Sequence, residues 1–173
     1  MIHTSVSHEI LKYLTGKVEK VSLTNAGTGC WIGFSTDAPT ITGEGFNEPD
    51  PEQYPSYARV RLNLWDPKVT SVVDLWGTVG QDVDGNSKPG CVTNVVEFTT
   101  PECKEEGGWP ILKYFGLFTS ADVGTGKPLA SDRLTDPDGE YNEETQSYPE
   151  KDLKVEKGHV AVFRKGSLEL RFT

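Results

Sequence analysis

From Tyr57 to Trp65 the chain alternates strictly: Tyr57, Arg59, Arg61 and Asn63 oppose Ala58, Val60, Leu62 and Leu64. A period of two predicts a strand with one buried face. Val18 to Leu23 alternates in the same way, and Cys30 to Thr36 (CWIGFST) is a run of aromatic and apolar residues suited to a strand. Val69 to Val79 and Cys91 to Thr100 also read as strands, joined by the turn-rich QDVDGNSKPG into a hairpin. Trp109 to Ser120 (WPILKYFGLFTS) is the most apolar strand and is expected at the centre of the core; Pro110 sits near its start, where a missing amide is tolerated. Near the C-terminus VAVF (Val160 to Phe163) and LELRF (Leu168 to Phe172) read as strands, with Lys157-Gly158 and Lys165-Gly166 as turns.

Only the N-terminus carries a helical period. Val6, Ile10, Leu11 and Leu14 share one face, Ser5 or Ser7 is an available N-cap and Gly16 a stop. This apolar stripe either covers the chain's own domain or docks on a neighbouring subunit, and residues 1–16 are assigned to the helix. Residues 17–173 then form one domain of about eight to ten short strands. The expected fold is mainly β: an antiparallel β-sandwich, jelly-roll-like or immunoglobulin-like, with a short N-terminal α-helix.

The chain's 173 residues suit one domain with a real core. Eighteen Gly and eleven Pro interrupt it too often for long helices and reinforce the β assignment. A formal charge of −9 removes the broad positive field that attracts phosphate backbones, so nucleic acid is not an expected partner. No apolar run approaches the roughly 20 residues of a membrane span, and the start lacks the pattern of a secretory signal. No membrane partner is expected, and the site of synthesis and assembly is a cytoplasm. Cys30, Cys91 and Cys103 are odd in number and form no CxxC pair, which predicts free thiols.

Catalytic and metal motifs are incomplete. Asp82, Asp84 and Asn86 copy the first three ligand positions of a calcium loop, but Ser87 stands where Gly is needed and Thr93 where a bidentate Glu belongs; a solvated hairpin turn accounts for the same residues. The acidic stretch Asp136 to Glu144 has no ligand spacing and reads as a solvated loop. GTGK at Gly124 to Lys127 lacks the first Gly and the final Ser or Thr of a phosphate loop and is a hairpin turn. His3, His8 and His159 are too scattered for a site. Trp31, Trp65, Trp76 and Trp109 are expected to supply core area, with a sugar-stacking platform as the competing reading. The residues point to no cofactor, no metal and no enzymatic activity.

Three ordered blocks carry a resemblance. CWIGFSTDAPTITGEGFNEPDPEQYPSYARVRL (Cys30 to Leu62) is similar to a "Y-I-G-L-S-T … P-T … E-P … Y-A-R-V" opening. Trp109 to Ser120, followed by Gly126-Lys127-Pro128-Leu129, is similar to "W-G-x-I-x-x-F-G-L-F" with a later "G-x-x-L", and VEKGHVAVFRKGSLELRF to "x-x-G-D-x-x-x-F-x-x-G-x-L-x-I". Together they resemble a family of small tailed-bacteriophage virion proteins labelled tail-fibre or minor structural proteins. The departures are insertions at 77–104 and 133–150, and His159 where Asp often stands. The resemblance implies a non-enzymatic β-sandwich subunit of the tail, neck or fibre, assembled in the host cytoplasm into the virion. Its implied partners are other virion proteins and copies of itself, and Val6, Ile10, Leu11 and Leu14 are the expected assembly interface. The alternative is a virion module that binds a host-surface glycan or receptor. In a particle that meets the outside, Cys91 and Cys103 form a pair as the alternative to free thiols.

Overall fold

The computed structural model describes residues 31–61, 80–81, 84–87, 91–94, 97–136, 138–144 and 147–171. Among them the chain is mainly β and holds no helix. Eight strands follow in order: β1 (Trp31–Ser35), β2 (Val60–Arg61), β3 (Cys91–Thr93), β4 (Phe98–Thr99), β5 (Tyr114–Phe118), β6 (Ala130–Arg133), β7 (Val162–Phe163) and β8 (Glu169–Arg171). A four-stranded antiparallel sheet has the order β2-β1-β5-β6, and two further ladders pair β3 with β8 and β4 with β7.

The register of the central pair explains the packing. Ile32 faces Leu117 and Phe34 faces Phe115, so these four share one side of the sheet. Phe34 stacks on Phe163 with ring centroids 5.3 Å apart, and Phe163 stacks in turn on Phe98 at 4.8 Å, which seats the β4–β7 ladder against that side. Ile32, Phe34, Leu112, Leu117 and Val155 form the buried centre.

On the opposite side the cross-strand pair is Gly33 and Gly116. A Cβ on Gly33 would lie 2.3 Å from Glu48 Oε1, and one on Gly116 would lie 2.7 Å from the Phe46 ring. The two glycines leave a trough, and the segment Asp37 to Pro55 folds its Phe46 and Glu48 side chains into it. This is the reason β5 buries both of its faces at its end, with Leu117 on one side and Phe118 on the other. Strand Trp109 to Ser120 is central as the sequence indicates, but its Phe115 is only half-buried while Leu117 is buried.

Residues 91–94 and 97–103 run antiparallel to residues 158–171. β3 pairs with β8, Asn94 N–H donates to Leu168 C=O at 3.0 Å, β4 pairs with β7, and Cys103 N–H donates to His159 C=O at 2.9 Å. The register shifts by one residue between the two ladders, and the extra residue falls between Phe163 and Leu168. Lys165-Gly166 forms the expected turn, closed by Ser167 N–H donating to Arg164 C=O at 3.0 Å with Gly166 at φ 81°, and the ribbon continues past it as a bulge. Asn94, fully buried, clamps it: its side chain donates to Arg164 C=O at 3.0 Å and accepts from Leu168 N–H at 2.8 Å.

The acidic stretch is also more ordered than a loop. Among its described residues Thr135 pairs with Glu150 and Asn142 with Ser147 as antiparallel bridges, in the manner of a hairpin. The turn at 81–87 is closed by a Gln81–Ser87 bridge, as a solvated hairpin requires. The helix expected over 1–16, and the strands expected over 18–23 and 69–79, lie outside the described residues.

Candidate functional site

A cavity of about 350 Å3 opens between the sheet and β7, within the size range of small-ligand and side-chain pockets. Its walls are Ile32, Phe115, Leu134, Leu153, Phe163 and Leu168. Charged groups gather at the mouth, and most are already paired. Arg133 donates through Nε to Glu150 at 3.0 Å, through Nη2 to Asp152 at 2.5 Å and through Nη1 to Lys113 C=O at 2.5 Å. It stands at the fork where the chain after β6 leaves the β5 edge and Leu153 bridges to Leu112 instead. Burial works against the Arg133 charge, but Asp152 and Glu150 outweigh it and raise its pKa. Lys151 binds Asp136 at 2.9 Å and holds that carboxyl below its usual range. Arg164 and Asp138 are the exceptions: both line the mouth, are exposed, and have no ion-pair partner among the described residues.

Two other clusters carry unusual electrostatics, and each is engaged in structural contacts. In the first, Arg59 and Glu48 form a two-pronged ion pair, Nε to Oε1 at 2.9 Å and Nη2 to Oε2 at 2.6 Å, with side chains only 1% and 3% exposed. The remaining Arg59 donors reach Ser120 C=O at 2.9 Å and Thr125 C=O at 2.8 Å, and the guanidinium carbon lies 3.4 Å from the Phe118 ring centroid. Glu48 also accepts from Gly124 N–H at 2.9 Å and from the Tyr57 hydroxyl at 3.2 Å. Burial, reinforced by Glu48, pushes the Tyr57 phenol well up. Four of the five Arg59 N–H groups and both Glu48 oxygens are engaged, so this network ties the 46–48 loop and the 120–125 turn to the sheet.

In the second, Glu105 accepts from Ser56 N–H at 2.9 Å, from the Ser56 hydroxyl in a short bond, and from Trp109 Nε1 at 3.0 Å. Desolvation opposes its charge, but the Ser56 donors prevail and its carboxyl is lowered to about 2. Cys103 lies beside it as a free buried thiol, its pKa raised chiefly by burial. Cys91 pairs with Arg171 at one end of the ribbon and Cys103 with His159 near the other, so the Cys91–Cys103 alternative is not met.

The expected site residues Val6, Ile10, Leu11 and Leu14 lie outside the described residues, as do Trp65, Trp76, His3 and His8. Trp109 is core; Trp31 is half-buried, with Arg61 5.8 Å from its ring. Sequence reasoning missed the polar network and the cavity. The alternation from Tyr57 predicts one buried face; at its described start Tyr57 and Arg59 are buried while Ala58 is exposed, and residues 62–65 lie outside the described residues. No family model matches the chain, and no curated protein matches it either.

Proposed function

We propose that the chain is a non-enzymatic structural subunit of a tailed-bacteriophage virion, in the tail, neck or fibre region. It folds as an antiparallel β-sandwich, the β4–β7 and β3–β8 ladders forming the second layer, and works as a homo-oligomer alongside other virion proteins. One observation carries the reading: the residues quoted for the resemblance come from three separated blocks and meet in one core. Gly33, Glu48, Tyr57 and Arg59 of the first block interlock with Gly116 and Phe118 of the second, and Phe163 of the third stacks on Phe34. The buried and hydrogen-bonded charged groups support it too, since Glu105 and the Arg59–Glu48 pair are consumed in holding loops.

A rival use, binding a host-surface glycan or receptor, draws on Tyr141 and Tyr148, which meet edge to face at 5.1 Å on the acidic hairpin and stay about two-fifths exposed. Composition analysis of purified particles by mass spectrometry tests the first reading: the chain is expected at a fixed ratio to the capsid protein. Its absence from particles overturns the proposal. Saturable binding to a glycan array that Tyr141→Ala abolishes would favour the rival.

A further inference from the structure

We infer that the cavity beside β7 is a strand-addition site that receives the acidic hairpin, residues 138–149, of a second copy of this chain; the inference rests on the homo-oligomeric reading above. Three features converge on the cavity. First, Thr100 N–H donates to Ala161 C=O at 3.0 Å, and in an antiparallel ladder the next residue's backbone groups then point to the other edge. Val162 N–H and C=O are thus turned away from β4, and among the described residues nothing pairs with them. An open edge of this kind recruits an extended chain by main-chain hydrogen bonding. Second, Val160 and Val162 are 42% and 52% exposed along that edge, and Val162 lines an apolar cavity with room for a large side chain. Third, Arg164 at the mouth and Lys165 beyond it carry charges that no described residue neutralises.

The complementary surface is on the same polypeptide. Residues 138–149 carry four carboxylates, Asp138, Glu140, Glu143 and Glu144, and no Lys or Arg. The hairpin presents Tyr141 and Tyr148, 40% and 41% exposed, which lean on each other and leave their own cavity open. A neighbour's hairpin laid along the β7 edge places a tyrosine over the apolar walls and its carboxylates against Arg164 and Lys165. Pairing two different patches in this way is a heterologous contact, and that makes it testable by complementation.

The experiment compares native masses of the full chain and of two variants: Arg164→Glu/Lys165→Glu, which disables the cavity, and Tyr141→Ala/Tyr148→Ala, which disables the hairpin. The substituted side chains are exposed or half-exposed, and circular dichroism and melting curves of each variant are expected to match the parent. Each variant alone is expected to self-associate at least about tenfold more weakly than the parent. Mixed in equal amounts, they are expected to form a one-to-one heterodimer, because one intact cavity and one intact hairpin remain. A parent that assembles while either variant assembles equally well, or variants that fail to complement, overturns the hairpin contact and leaves the oligomeric reading standing. A monomeric parent overturns both.

Discussion

Glu105 shows how a single side chain can set the acid limit of the fold. Its carboxyl is held at about 2 by the Ser56 donors, against an ordinary value of 4.5. A group depressed in the folded state contributes stability above its unfolded pKa and loses it as pH falls through the folded one. Melting temperature is therefore expected to fall as pH drops from about 4.5 towards 2, and Glu105→Gln to shrink that dependence while lowering stability at neutral pH by about 1–3 kcal/mol, since an amide cannot accept all three bonds. Denaturant titrations at several pH values check both. Glu48→Gln strands the buried Arg59 and is expected to cost about 3–5 kcal/mol in the same assay. Neither network was legible in the sequence, because the partners lie far apart along the chain: 11 residues for Arg59–Glu48 and 49 for Glu105–Ser56. Arg59 sits at an alternating position that charge alone would send to solvent, and only Glu48 and Phe118 reverse that preference.

Among the elements, those defined by local pattern were readable. β1, β5 and β7 fall inside runs rich in aromatic and β-branched residues, and the 81–87 turn within its Gly and Asn cluster. What local pattern missed were departures from regularity. A Lys-Gly pair signals a positive φ, but it does not say whether the chain then reverses or continues past a bulge; that is decided by buried Asn94, some 70 residues away. Asn94→Ala leaves Leu168 N–H without its partner, removes one of the two donors to Arg164 C=O, and is expected to cost about 1–3 kcal/mol. Gly33→Ala drives a methyl onto a carboxylate already held by Arg59, and its cost of about 1–3 kcal/mol is expected to be relieved in part by Glu48→Ala, which vacates the trough. Additive losses in that double-mutant cycle would show that the trough is not shared. Within β5, Leu117→Ala is expected to cost about 2–5 kcal/mol and half-buried Phe115→Ala less than a fully buried phenylalanine would.

At the scale of the molecule, the sheet is sealed on one side by Phe46 and Glu48 and on the other by Phe163, while among the described residues the β7 edge has no strand partner beside the cavity. An unpaired edge of this kind suits a part that is completed by a neighbour. The mainly β, antiparallel character was legible because strand periodicity is local; the cavity was not, because its walls come from β1, β5, the hairpin legs and the ribbon. On the function proposed above, the chain builds with itself. Its most direct test is the native mass of the purified, unmodified chain across a dilution series. A discrete set of copies that dissociates on dilution and grows no further at high concentration is expected. A mass of one chain at every concentration, with the melting curve of a folded protein, would contradict it.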